Sequence, residues 1–285
     1  MTDLLLLSRS RWRAAVAPAL GGNLVRLDLD GKPALRPLTD PAALAQDPFV
    51  FGSPILLPAN RTRGGAFSFE GERFSLPVNE PAHGCHLHGL VHQQRFSVER
   101  RQEDAVTLSY ENRGEVYPFP FRLTVSYQLS EEGECSLYRI ENTGCRRMPL
   151  TFGLHTTFVE PTWFSVPVSA VMERDSDFLP TGRYLPLQGE ELDFSTRAVS
   201  RGRPLSGYYR AAGHTARIGD RLRYTVSEAF DHWVLYNAGG REGLLCIEPQ
   251  CGAVDGLNLP GGCRVLAPGE ALGLRCEIRL GEEPR

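Results

Sequence analysis

Apolar positions along this chain recur with a period of two. Over 122–129, Leu123, Val125, Tyr127 and Leu129 alternate with Arg122, Thr124, Ser126 and Gln128. That pattern predicts a strand with one buried face. The turn Glu131-Glu132-Gly133-Glu134 follows, and 135–140 alternates again with Ser136, Tyr138 and Ile140 on one face. A second hairpin is predicted from Ala66-Phe67-Ser68-Phe69, the turn Glu70-Gly71-Glu72, and Arg73-Phe74-Ser75-Leu76. Glycine near each turn supplies the positive φ such loops often need. Further strands are predicted over 23–29, 96–100, 105–110, 150–158, 222–227, 232–236, 244–248 and 272–280. Helical periodicity is nearly absent, and only 40–46 predicts a short helix. The 21 prolines and 29 glycines punctuate the whole length and mark no linker. The expectation is one all-β domain over 1–285, a large antiparallel β-sandwich with a broad concave sheet face suited to a flat polar ligand.

Composition removes several chemistries. A net charge of −3 offers no basic excess for neutralising phosphates, so a nucleic-acid partner is not expected. Lys32 is the only lysine, and Pro33 follows it. A Walker A loop needs Gly-Lys-Ser/Thr, and a Schiff-base enzyme needs a buried lysine, so both are excluded. Seven cysteines, an odd number with no C-x-x-C, read as reduced thiols. The opening Leu4-Leu5-Leu6-Leu7 is too short for a secretory segment and lacks a basic flank. No stretch approaches the roughly 18 apolar residues of a membrane span. A cytoplasmic protein is expected.

Four segments could carry chemistry. In 150–158, Leu150, Phe152 and Leu154 share one strand face, while Thr151, Gly153, His155 and Thr157 share the other. His155 therefore projects away from the apolar side among small residues. It fits a reactive imidazole and equally a structural histidine on a solvated face. The run Leu244-Leu245-Cys246-Ile247 ends in Glu248-Pro249-Gln250. A carboxylate closing a buried strand is costly unless paired or functional. Pro249 lacks a ladder donor, so the strand is expected to stop there or to reach an edge. Glu248 and Gln250 face the same way. Four histidines and Cys85 lie within 83–92. His86 and His88 would share a strand face at ligand spacing, yet the cluster holds no carboxylate, and no metal is expected. The segment Pro58-Ala59-Asn60-Arg61-Thr62-Arg63 offers amide and guanidinium donors that could clamp hydroxyl groups, or it is an ordinary polar turn.

The order of these segments resembles the aldose 1-epimerases, or galactose mutarotases. Asn60-Arg61, with Gly65, Phe67, Gly71 and Phe74-x-Leu76 after it, is similar to the family's Asn-Arg element. Leu87-His88-Gly89 resembles its Leu-His-Gly element, and Gly153-Leu154-His155-Thr156-Thr157-Phe158 its catalytic-histidine segment. Leu179-Pro180-Thr181-Gly182 and Leu192-Asp193-Phe194 resemble its Pro-Thr-Gly and Asp-Phe pair. Glu248-Pro249-Gln250 with Asp255-Gly256-Leu257-Asn258 resembles its catalytic Glu-x-Gln stretch, and Leu266-Ala267-Pro268-Gly269-Glu270 its C-terminal turn. The resemblance implies a galactose mutarotase-like supersandwich acting on a sugar without cofactor or metal. It implies Glu248 and His155 as the catalytic pair, with Arg61, His88 and Asn60 binding substrate.

Three positions depart from the family pattern. Leu90 stands where a second glycine is usual, and Thr156 where tyrosine is common. A substrate-binding aspartate is expected between the Asp-Phe element and the catalytic glutamate, where this chain reads Leu205-Ser206-Gly207-Tyr208-Tyr209. The expected reaction is anomer exchange, with Glu248 ionised as base and His155 held protonated by the neighbouring carboxylate. Two alternatives stand beside it. One is a hexose-6-phosphate 1-epimerase, with Arg61, Arg63 and Arg95 as a phosphate pocket. The other is a carbohydrate-binding protein without catalysis.

Overall fold

A computed structural model describes residues 4–45, 47–187 and 194–281. Two eight-stranded antiparallel sheets dominate it. The first runs in the order Ser97–Arg101, Ala105–Asn112, Phe121–Leu129, Gly133–Asn142, Ala271–Leu280, Leu222–Val226, Thr215–Ile218, Phe164–Ser165. The second runs Pro180–Pro186, Val168–Arg174, Ser206–Ala211, His232–Tyr236, Leu244–Cys251, Phe152–Leu154, Ile55–Leu56, with Thr157–Val159 also pairing to Leu244–Cys251. A four-stranded sheet spans Leu5–Arg9 to Lys32–Pro33. The described residues hold short 3-10 turns and no α-helix. The predicted helix over 40–46 is such a turn, Pro41–Ala45.

The alternating pattern is realised directly in the first sheet. Leu123, Val125, Tyr127 and Leu129 are buried, and the hairpin places Tyr127 against Ser136 and Val125 against Tyr138. These side chains meet Phe152, Trp233, Leu235, Leu245 and Ile247 of the second sheet in one shared apolar core. The hairpin Ala66–Phe69 with Glu72–Ser75 also forms as read.

Two expectations need correction. The segment 150–158 is not one strand. It divides into Met148–Leu150, Phe152–Leu154 and Thr157–Val159, each with a different set of partners. Nor does Pro249 end its strand, which continues to Cys251; of the two outcomes expected there, the local edge is the one found. Proline costs a ladder bond only where a neighbour would accept it. The Ile247 amide donates to Thr156 on one side of the strand (2.9 Å), and Pro249, two residues on, faces that same side. There the neighbouring chain is interrupted between Leu154 and Thr157, so no ladder bond is lost.

Candidate active site

Alternate residues of Leu244–Cys251 point to opposite faces. Leu245 and Ile247 enter the shared core, whereas Cys246, Glu248 and Gln250 face away from it. Every residue of the strand is buried, and Phe49, Asn60, Arg61 and His88, from outside the sheet, line a pocket on that far face. Across it, Tyr208 pairs with Val234 and Val234 with Glu248, which forms one row spanning three strands. Ser206, Tyr236 and Cys246 form the next row. This pocket, of about 280 Å³, opens above these rows.

All five residues expected at the site line this pocket: Asn60, Arg61, His88, His155 and Glu248. His155 sits in the break after Phe152–Leu154, its amide donating to the Pro54 carbonyl (3.0 Å). Its Nε2 lies 3.3 Å from Glu248 Oε1. Gln250 donates to Glu248 Oε2 and Asn60 donates to Gln250 Oε1, both at 3.4 Å. Gly153 leaves the space Gln250 needs, since a Cβ there would lie 3.0 Å from Gln250 Cγ. The Asn60 side chain also accepts from the Arg61 amide (3.0 Å), so Asn60 supports the loop and reaches the pocket together.

The Leu-His-Gly element works by close approach. A Cβ on Gly89 would fall 1.9 Å from the Leu57 carbonyl oxygen, and Gly89 has φ +67°. Only glycine fits such a contact. It presses the chain onto 57–60, where the His88 amide donates to the Asn60 carbonyl (2.9 Å). The His88 ring then stands edge-on to His155 at 5.4 Å, and Phe49 packs on both rings.

Charge distribution departs from expectation. Burial pushes Glu248 up to about 8. It pushes His155 down to about 4, so the expected elevation by the neighbouring carboxylate does not occur. The cause is desolvation, which disfavours the charged form of each group. Both shifts favour the neutral pair, in which the two groups hold one titratable proton between them. His88 is likewise pushed well below its usual value by burial, so it is a neutral donor or acceptor.

Arg61 has two partners in the structure, Glu80 and Tyr208, the second from the segment that stands where the family's aspartate is expected. Glu80 takes both Nε and Nη2 of Arg61, at 2.7 and 2.6 Å. Arg61 Nη1 donates to the Tyr208 hydroxyl (2.6 Å). Neither contact leaves a local sequence signal, because the partners lie far from Arg61 in the chain. The arginines suggested as a phosphate pocket do not converge. Arg63 pairs with Asp175 and Asp255, Arg95 is exposed, and neither lines the pocket. His86 turns its Nδ1 to the Pro77 carbonyl (2.7 Å), while His88 has left the strand with φ +63°, so the two do not share a face. Among the described residues, His155, Cys246 and Glu248 form the one group with metal-ligand atoms within 4.8 Å of one another. An ion there would displace the proton the pair holds and that of Cys246, whose thiol burial keeps well above its ordinary value. Thr156 turns into the core, bonding Ser53 and Tyr224. Leu192 and Asp193 of the Asp-Phe element lie outside the described residues.

Comparison with known proteins agrees with this fold. The chain is 25% identical over 281 residues to the Escherichia coli K12 protein YphB, covering 91% of this chain and 93% of that one. The fold matches a galactose mutarotase-like protein from Clostridium acetobutylicum with a TM-score of 0.91, at 21% identity over 98% of this chain and 95% of the other. It matches a galactose 1-epimerase from Lactobacillus acidophilus with a TM-score of 0.79, at 18% identity over 100% and 99% of the two chains. The family model for aldose 1-epimerase covers residues 3–279, and this chain belongs to the aldose 1-epimerase family.

Proposed function

We propose that this protein is a mutarotase, an isomerase that interconverts the α and β anomers of an aldose, with Glu248 and His155 as its acid and base. The observation that carries the reading is the buried pair at 3.3 Å, shifted in opposite directions and opening onto a pocket. Opposed shifts in adjacent titratable groups mark an acid/base couple.

Anomer exchange needs the anomeric hydroxyl O1 to lose a proton while the ring oxygen O5 gains one. Both oxygens are bonded to C1, so an adjacent acid and base can address them together. The pair contributes one proton and one vacancy, which is the stoichiometry the reaction needs. Sugar hydroxyls entering the pocket solvate the charged form, and the proton passes from Glu248 to His155 across their contact. Glu248 then takes the O1 proton as His155 donates to O5. The C1–O5 bond breaks and C1 becomes an aldehyde. Rotation about C1–C2 presents the other carbonyl face, and reversed proton movements close the ring. Arg61, fixed by Glu80, and neutral His88 bind substrate oxygens, with Asn60 orienting the Gln250–Glu248 chain. The seven unpaired cysteines fit a reducing, cytoplasmic setting.

Polarimetry of freshly dissolved α-aldoses tests the reading. Acceleration above the spontaneous rate, lost in Glu248→Gln, is expected. Sugar binding with no acceleration by the wild-type protein would replace the mutarotase with a carbohydrate-binding protein.

A further inference from the structure

The end of the pocket remote from the acid/base pair presents donors where the family pattern has an acceptor. Tyr208 occupies the region of the expected aspartate, in the same row as Glu248 and two strands away. Strands lie about 4.8 Å apart, so the two positions are separated by roughly 10 Å. That separation accommodates a hexose ring with its exocyclic carbon.

The Tyr208 hydroxyl accepts from Arg61. A guanidinium only donates, so the hydroxyl proton must be given to something else. Arg174 Nη1 donates to Ser206 Oγ (3.0 Å), which leaves the serine proton free in the same way. Both Tyr208 and Ser206 line the pocket. The Arg174 guanidinium stacks on Phe178 at 4.7 Å and on Tyr208 at 5.6 Å.

Charge balance separates Arg174 from the other groups here. Arg61 is matched by Glu80. Asp47 lies in the field of Arg36, and Glu248 shares its proton with His155. Among the described residues, no carboxylate lies within ion-pair distance of Arg174. The remote end therefore offers two hydroxyl protons, and an unmatched guanidinium fork stands directly behind them, outside the lining itself but bonded to Ser206 and stacked on Tyr208. Such a set complements a group with several acceptor oxygens and a negative charge. A neutral hydroxymethyl group leaves the guanidinium without its counter-ion.

Resting on the mutarotase reading, we propose that the preferred substrate is an acidic aldose, whose oxyanion at the end remote from C1 accepts from the Ser206 and Tyr208 hydroxyls and is balanced by the charge of Arg174 behind them. The shared chemistry is the oxyanion, supplied by a carboxylate or by a phosphate ester.

The test measures kcat/KM by exchange NMR for glucose, glucuronate and glucose 6-phosphate. In parallel, calorimetry measures binding of the three sugars to Glu248→Gln. At least one acid is expected to exceed glucose by about tenfold, the worth of about one charge-assisted hydrogen bond. The better acid identifies the anion. The acid-to-glucose ratio should collapse in Arg174→Met and recover in part in Arg174→Lys. Acceleration of glucose with no acid preference in rate or binding overturns the subsite and leaves the mutarotase standing. Acid-selective binding, weakened by Arg174→Met, with no sugar accelerated by the wild type, retains the subsite and removes the mutarotase.

Discussion

Glu134 and Glu248 are two buried carboxyl groups, one in each large sheet. Burial pushes both up to about 8. Glu134 faces the shared core from Gly133–Asn142, accepts from the Ser136 hydroxyl, and has Tyr127, Tyr138 and Cys276 around it. Glu248 faces the opposite way from its sheet, toward His155 and a pocket. An elevated carboxyl is thus not itself a site. The difference lies in a second titratable group shifted the other way, and in space for a ligand between the two and the solvent. Glu134 has a hydroxyl that only stabilises it, whereas Glu248 has an imidazole that can exchange its proton.

Mutation breaks the comparison most sharply. Glu248→Gln and His155→Asn should each lower kcat by about 10²–10⁴, the worth of a positioned acid or base. Glu134→Gln should keep turnover at the wild-type level in polarimetry. Equal losses at all three positions would show that the effect is general destabilisation. The pH profile gives the next effect. Below about 4 the pair gains a second proton and loses its base; above about 8 it loses its only proton and its acid. kcat/KM should be bell-shaped with limbs near those values, which belong to the pair rather than to either residue. A flat profile from pH 3 to 9 would sink the one-proton couple. A smaller effect is expected from Gly89→Ala. Its Cβ must push the His88 segment off the Leu57 carbonyl, raising KM about tenfold, the loss of about one hydrogen bond, with kcat little changed. An unaltered KM would separate His88 from substrate binding.

The two sheets also differ in how far the sequence discloses them. Phe121–Leu129 has one buried face and one more exposed, so its alternation and its hairpin partner are readable. Phe152–Leu154 and Leu244–Cys251 are buried on both faces, and periodicity there marks neither where a strand breaks nor where it ends. Hence 150–158 reads as one strand and Pro249 as a terminus. Ordered motifs point to Asn60, Arg61, His88, His155 and Glu248: His88 and His155 stand close to glycines, and Glu248 closes an apolar run. Glu80 and Tyr208 reach Arg61 only through pairing of distant segments, which no local pattern records. A carboxylate near His155 can be inferred from motif order, but the dryness that reverses its effect depends on loops covering the sheet.

The smallest expected effect isolates burial from catalysis. Folded Glu134 keeps its proton up to about pH 8, against an ordinary value of 4.5. Stability from that elevation is complete below about 4.5 and is lost as pH rises through about 8, because the unfolded chain releases the proton earlier. Glu248 adds a loss of the same sign. Glutamine is close in shape to the protonated acid and does not ionise. Glu134→Gln should therefore melt near the wild-type temperature at pH 5 and above it at pH 9, by several degrees at about 2–4 °C per kcal/mol. Adding Glu248→Gln should flatten the dependence further while lowering turnover as above. Scanning calorimetry across this range decides the matter: parallel curves for the wild type and Glu134→Gln would mean that the core accommodates the carboxylate, and that only the glutamate beside His155 has its proton held by its surroundings.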